Sequence, residues 1–141
     1  MDINSLDRFL DAQEHVYDIA FMEIRRGRKR SHWMWLIFPQ LRGLGRSQMS
    51  IIYGIADLDE AKKYLSHPIL GSRLIEITRA LLSVNGKTAE EICGEIDSQK
   101  LRSSMTLFAV ASEENTIFAD AINKYFNGEP DSQTLQILNI K

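Results

Sequence analysis

Residues 31–47, SHWMWLIFPQLRGLGRS, are the stretch around which the rest of the fold is expected to be organised. These seventeen residues hold one histidine, two tryptophans, a phenylalanine, a proline and two closely spaced glycines, and they follow the basic run RRGRKR at 25–30. Pro39 would interrupt any helix that ran through the segment. We therefore expect a short helical turn at 33–37 and then a loop.

The apolar residues on both sides of this segment recur with the 3.6-residue period of amphipathic helices. Before it, they predict one helix of about 20 residues from Asn4 or Ser5 to Gly27. After it, the same period and the capping residues predict a last turn at 131–138 and, before that turn, helices starting near Ser47, Asp57, Pro68, Thr88, Asp97 and Asn115. Strand patterns are nearly absent. The chain is therefore predicted to be all-α, a compact single domain over residues 1–141 with about six to eight helices.

The composition is that of a soluble protein, with 44% hydrophobic and 26% charged residues in a chain of 141. Because it has neither a long apolar run nor an apolar N-terminal segment, we expect no membrane span and no secretion. The single cysteine, Cys93, excludes an internal disulfide and suits a cytoplasmic location. The three histidines are widely spaced, so neither a metal site nor a cofactor is predicted. The oligomeric state is left open.

The net charge of −2 hides an uneven distribution of charged residues. Between Glu23 and Asp57 there is no acidic residue, whereas seven basic residues lie in the same window: Arg25, Arg26, Arg28, Lys29, Arg30, Arg42 and Arg46. A window of this kind, if folded onto one face, attracts phosphate or carboxylate groups. It therefore makes a small anionic molecule the first candidate partner and nucleic acid the second.

Residues 42–47, at the end of segment 31–47, are of the types found at anion-binding sites. Gly43 and Gly45 would let the backbone approach an anion, and Ser47 begins a predicted helix whose first N–H groups are free to donate. Arg42 and Arg46 would add positive charge. The pattern is neither the P-loop nor the dinucleotide fingerprint. A glycine-rich corner between packed helices explains the same residues, so both interpretations stay open.

Aromatic and titratable residues add to the candidate site. Trp33 and Trp35 would point ~200° apart on a helix, so we expect one in the core and the other free to stack on a planar ligand, or both in the core. Gln40 could bind an amide or a base edge. The candidate catalytic residues are His32, which is either structural or a general acid or base, and Glu23, which either pairs with an arginine or activates water.

Three polar residues on distant helices are expected to point inward. Gln13 lies on the apolar stripe of the first helix, while Ser103 and Ser104 interrupt an apolar helix. Each either bonds to a nearby backbone group or faces a polar cavity. In the second case they would form the far walls of the site, with Lys29 among the groups that hold the phosphate.

Three blocks of the sequence also carry a resemblance: HWMWLIFPQLRGLGRS at 32–47, DEAKKYLSHPILGSRL at 59–74 and KLRSSMTLF at 100–108. With them the chain closely resembles the domain of unknown function 1810 family, small helical proteins sometimes labelled calpastatin. The resemblance implies a multihelical fold, and it carries no established activity or catalytic residue. Leu36 stands where the family often has phenylalanine, which affects no functional residue.

Three functions from different classes compete. The preferred one is binding, extending to hydrolysis, of a small anionic ligand such as a nucleotide or an ADP-ribose-like compound in a basic, aromatic-lined pocket. The alternatives are nonspecific nucleic-acid binding through residues 25–46 and a protein-interaction module without catalysis. The overall acidity of the chain argues against nucleic acid. Whether the protein is an enzyme is left open.

Overall fold

A computed structural model describes residues 5–140, so the cap predicted at Asn4 lies outside the described residues. Within that range the only β contact is an isolated parallel bridge between Leu41 and Ile55. The remaining regular structure is helical, which confirms the all-α class. The helices are α1 Asp7–Gln13, α2 Tyr17–Arg25, α3 Met34–Ile37, α4 Gln48–Tyr53, α5 Leu58–Ser66, α6 Leu70–Ser83, α7 Ala89–Cys93, α8 Glu95–Ala111, α9 Ile117–Phe126 and α10 Ser132–Ile137.

The long first helix of the sequence prediction is two helices, α1 and α2, separated by a turn at 14–16. In this turn the backbone N–H of Val16 donates to the carbonyl of Gln13 at 3.1 Å. The turn hardly disturbs the helical spacing, since Phe9, Ala20 and Ile24 on the two helices are all buried. The apolar period therefore gives no sign of the interruption, which is one reason why the helices outnumber the six to eight predicted.

Helix starts that depend on a capping side chain lie where the sequence predicts them. The side chains of Ser47, Asp57 and Thr88 each accept a hydrogen bond from the backbone N–H three residues later, at the starts of α4, α5 and α7. The cap at Thr88 is a full capping box, in which the glutamate three residues on bonds back to the Thr88 N–H. These caps act within four residues of chain, which is why sequence alone reveals them.

One cap prediction is wrong. Helix α8 begins at Glu95, after Gly94 with φ of +89°, so Asp97 lies inside the first turn and does not cap the helix. Its carboxylate instead forms ion pairs with Lys29 and Lys100. The structural reason is Gly94, whose positive φ lets α7 and α8 follow each other with a single residue between them.

Helix α8 is the centre of the fold and packs against α3, α5, α7, α9 and α10. A chain of ring contacts crosses the core on either side of it, from Phe9 on α1 through Tyr64 and Phe108 to Phe118 on α9. The ring centroids lie 5.2, 5.5 and 5.8 Å apart along that chain, within the range of favourable aromatic pairing. This core leaves the first turns of α8 at the surface, beside the loop that precedes α3.

Candidate functional site

A cavity of about 200 Å³ lies between the loop before α3, the start of α4 and the first turns of α8. We call it the tryptophan cavity. Five of the residues predicted to bind a ligand line it, and the other four lining residues come from α3, α4 and α8. The lining residues are Lys29, His32, Trp33, Met34, Trp35, Ser47, Met49, Asp97 and Lys100. Segments almost 70 residues apart in sequence therefore meet at one concave site.

Both tryptophans are buried, but they have different neighbours. Trp33 belongs to the hydrophobic core, lies 6.1 Å from the Phe38 ring and donates its indole N–H to Glu23 at 2.9 Å. Trp35 is 7% exposed and is not part of the core cluster. Its indole lies against Gly45. Trp35 is accordingly the better placed of the two to contact a molecule in the cavity.

Glu23 shapes the loop that carries these residues. One carboxylate oxygen accepts hydrogen bonds from the backbone N–H groups of Arg30 and Ser31, at 2.8 and 3.0 Å, and from Trp33. The other accepts from the Ser31 hydroxyl at 2.7 Å. Burial raises the pKa of Glu23, but the four hydrogen bonds outweigh it and lower the pKa to about 2.

The expected pairing of Glu23 with an arginine side chain is therefore not what the structure has. Only the backbone of Arg30 is involved, and Glu23 is not a lining residue of the tryptophan cavity. With four donors on two oxygens, the carboxylate is committed to the loop and has little capacity left to activate water. Glu23 is a positioning residue for Trp33.

The positive charge in the tryptophan cavity is partly balanced inside it. Lys29 Nζ lies 2.8 Å from one carboxylate oxygen of Asp97 and 5.0 Å from the centroid of the Trp33 ring. Lys100 Nζ lies 3.3 Å from the other oxygen of Asp97. Burial raises the pKa of Asp97, but the two lysines outweigh this effect, so that the pKa is lowered overall. Two ammonium groups and one carboxylate leave a surplus of one positive charge, and His32 is exposed at the rim.

The sequence did not point to Asp97 or Lys100 as site residues. The sequence predicts Asp97 only as the cap of a helix, and Lys100 lies far along the chain from the basic window at 24–56. The available signal was weak: an aspartate and a lysine three residues apart at the start of a helix, directly before the Ser103-Ser104 pair. Such pairs are common on solvated helix faces.

Close packing explains Gly45 without any anion. A Cβ at this position would lie 2.9 Å from the Cβ of Ser50 and 3.2 Å from the ring of Trp35. The hydroxyl of Ser47 is also engaged, since it accepts the backbone N–H of Ser50 at 3.1 Å as the cap of α4. Of the two open interpretations of this corner, the packing of α3 against α4 is the one the contacts support.

Gly45→Ala is therefore expected to lower the free energy of unfolding by about 1–3 kcal/mol, because the added methyl group displaces Ser50 or Trp35 from a filled contact. Urea unfolding monitored by tryptophan fluorescence measures this change. Gly86→Ala is a useful control: it has open space around the added Cβ and a φ of +77°, so it tests backbone strain alone. Equal stability of Gly45→Ala and the wild type would contradict the packing explanation.

The remaining residues of the predicted anion corner do not line the tryptophan cavity. Arg42 donates to the carbonyls of Ile51 and Gly54, both at 3.1 Å, and so binds the C-terminal end of α4. Gly43 and Arg46 line a separate depression against α10. Of the residues of the predicted anion corner, only Ser47 lines the same cavity as the tryptophans.

The inward-pointing polar residues do not line the tryptophan cavity either. Gln13 donates its amide N–H to the carbonyl of Leu36 at 2.8 Å and to a tyrosine hydroxyl, joining α1 to α3 and α5. Ser103 bonds back to the carbonyl four residues earlier at 3.1 Å. The amide nitrogen of Gln40 and the hydroxyl of Ser104 are buried without a hydrogen-bond partner in the described part of the chain. The prediction that Gln13, Ser103 and Ser104 point inward is right, but they do not meet at the tryptophan cavity.

A larger groove of about 590 Å³ lies between α5, α6 and the loop at 112–116. None of the predicted site residues lines it. Two polar residues of its loop bond to each other: Ser112 Oγ donates to the Asn115 carbonyl at 3.1 Å and accepts from the Asn115 N–H at 3.0 Å. Because these polar groups are used within the loop, the smaller tryptophan cavity is the better candidate.

The described residues, 5–140, contain neither a metal-ligand cluster nor a membrane-spanning helix. No three His, Cys, Asp or Glu side chains in that range are grouped so that they could hold a metal ion. No helix in the same range combines the length and the apolar character needed to cross a membrane.

The chain is similar to a family defined by sequence and to a solved structure. The model of the family described as Protein of unknown function (DUF1810) matches residues 3–138. The crystal structure of the conserved hypothetical protein Rv1873 from Mycobacterium tuberculosis has a TM-score of 0.95 and 48% sequence identity, covering 99% of this chain and 100% of that chain. No curated protein matches. The resemblance seen in the sequence is thus confirmed, and the chain belongs to the DUF1810 family of proteins of unknown function.

Proposed function

We propose that this protein binds a small anionic ligand of the nucleotide or ADP-ribose class in the tryptophan cavity. The observation that carries the proposal is the convergence of an aromatic wall and two lysines, Lys29 and Lys100, at one concave site. Ligand sites are typically concave and largely apolar, with a few polar groups that fix orientation. The surplus of positive charge favours an anion over a neutral molecule.

The dimensions of the cavity restrict how such a ligand would bind. Its volume of about 200 Å³ is below the roughly 300–1,000 Å³ of drug-sized sites, so it suits a planar ring better than a whole nucleotide. In this proposal the ring lies against Trp35 and the charged part extends toward the surface. Arg28 and Arg30, the exposed neighbours of Lys29 in the chain, are available there to meet phosphate oxygens.

Hydrolysis of the bound ligand would require a catalytic group in the cavity. Of the two candidate catalytic residues, His32 lines the cavity and Glu23 does not. A general acid or base must reach the reacting group, so His32 is the residue on which a hydrolytic reaction would depend. We also keep a cytoplasmic location within the proposal, because Cys93 is a buried free thiol of the kind that persists in a reducing compartment.

Binding is expected to raise the melting temperature. AMP or ADP-ribose at roughly 100 times Kd stabilises the folded state by about 2.7 kcal/mol, which thermal-shift measurements detect as a rise of several degrees. Lys100→Gln should weaken binding about tenfold, because it removes one of the two cations in the cavity. Lys62→Gln, an exposed lysine on the larger groove, is the matched control and should bind as the wild type does. The absence of a shift with every ligand would contradict the proposal.

A second candidate function, nucleic-acid binding, is favoured by one observation. The side chains of Arg25, Arg26, Arg28 and Arg30 are exposed, and none forms an ion pair with the part of the chain that the structure describes. If these four arginines neutralise phosphates of single-stranded DNA, the logarithm of the association constant should fall with the logarithm of the salt concentration at a slope of about −3. Steep salt dependence on random oligonucleotides, together with no thermal shift by mononucleotides, would select this function instead.

A further inference from the structure

We infer that Asp97 is an internal anion of the tryptophan cavity, and that it weakens the preference of the cavity for doubly charged over singly charged ligands. The inference rests on the proposed function, since it concerns the same cavity. It assigns a role in charge selectivity to a residue that the sequence pointed to only as a helix cap. The Asp97 carboxylate lies in the cavity and accepts hydrogen bonds from both of its lysines.

Each carboxylate oxygen of Asp97 is held by a different lysine of the cavity. One oxygen lies 2.8 Å from Lys29 Nζ and the other 3.3 Å from Lys100 Nζ. The Lys29 side chain is only 7% exposed, and its ammonium group also donates to the carbonyl of Ser31 and lies over the Trp33 ring. The Lys29 ammonium group therefore already has its partners, so a ligand anion can bind it only by competing with the Asp97 carboxylate.

The Asp97 carboxylate also lies at the positive end of the longest helix. Helix α8 has 17 residues, and its N-cap, Gly94, has no side chain that could cap the first N–H groups. The first turn of such a helix favours negative charge. Two ammonium groups and a helix N-terminus thus surround the Asp97 side chain, which is 21% exposed. This is the environment that an anionic ligand group would require, and the protein fills it with a carboxylate of its own.

The charges inside the cavity then shift the preference for ligand charge, in addition to what Arg28 and Arg30 contribute at the surface. Lys29, Lys100 and Asp97 sum to one positive charge, which a monoanion neutralises and a dianion exceeds. Removing the Asp97 charge raises the sum to two and should improve the binding of a dianion more than that of a monoanion. Removing the Lys100 charge lowers the sum to zero and should have the opposite effect on the preference.

AMP and 3′,5′-cyclic AMP are suitable probes at pH 7.5, because they share the base and the ribose but carry about two negative charges and one, respectively. Their dissociation constants can be measured by titration calorimetry. The preference for AMP over cyclic AMP is expected to rise about tenfold in Asp97→Asn and to fall in Lys100→Gln. Asp59→Asn breaks another aspartate–lysine pair, on the surface of α5, and should leave the preference unchanged. Circular dichroism checks that each variant is folded.

The outcomes separate this inference from the proposed function. If the wild type and both cavity variants bind the two nucleotides with the same preference, the ligand site stands and the role of Asp97 is overturned. If Asp97→Asn binds AMP while the wild type binds neither nucleotide, Asp97 excludes anions and the proposed function of the wild type fails. If no protein binds either nucleotide, both are overturned.

Discussion

Replacing Arg8 with methionine is expected to lower the free energy of unfolding by about 3–5 kcal/mol, a large part of the stability of a domain this size. The Arg8 guanidinium is fully buried. It lies 3.0 Å from the Glu60 carboxylate and donates to the carbonyls of Ser5, Ile52 and Gly54 at 2.6, 2.8 and 2.9 Å. Methionine fills much of the volume, but it removes a charged donor from a buried carboxylate and from three carbonyls. The variant therefore loses the connection that fixes α1 to the end of α4 and the start of α5.

Urea unfolding followed by circular dichroism gives this free energy directly. Lys63→Met is the control, because it breaks the exposed pair between Lys63 and Asp59 and should cost less than about 0.5 kcal/mol. The double variant Arg8→Met, Glu60→Leu should recover part of the loss, since no unpaired charge stays buried. A stability of Arg8→Met within about 1 kcal/mol of the wild type would show that the buried pair contributes little.

What the sequence predicts well is local. The caps at Ser47, Asp57 and Thr88 are visible because donor and acceptor lie within four residues of each other. The pairing of Arg8 with Glu60 joins residues 52 positions apart, and no periodicity encodes such a distance. Both residues look like ordinary surface charges in the sequence, which explains why the most buried ion pair of the described residues was not predicted.

In the candidate site, too, the residues that are close in sequence could be predicted and the distant ones could not. Lys29, His32 and the two tryptophans were predicted together because they are neighbours in the chain. Asp97 reaches the cavity only through the packing of α8, so it could not be placed beforehand. The sequence cannot distinguish the two interpretations of Gly45. A glycine is needed wherever another group packs closely against the backbone, whether that group is a ligand or, as here, a tryptophan ring. The sequence predicts a close contact at Gly45 but not which group makes it.

Glu23→Gln is expected to lower the free energy of unfolding by about 2 kcal/mol near pH 7, the order of magnitude that its pKa shift implies after allowance for solvent screening. The carboxyl has a pKa of about 2 in the folded protein and an ordinary value of 4.5. Because the folded value is the lower one, the stabilisation is fully present above pH 4.5 and is lost as the pH falls toward 2. In Glu23→Gln this part of the acid dependence should disappear.

Urea unfolding of both proteins at several pH values between 7 and 2.5 measures the difference. Glu114→Gln, an exposed carboxylate on the 112–116 loop, is the matched control and should keep the acid dependence of the wild type. Parallel stability curves for Glu23→Gln and the wild type would contradict the role given to Glu23. Because the Glu23 carboxylate fixes the Trp33 indole and the backbone of Ser31, its loss should also loosen one wall of the tryptophan cavity. Glu23→Gln should therefore weaken AMP binding even at pH 7, where the protein is still folded, and so connect the stability of the loop to the function proposed for the cavity.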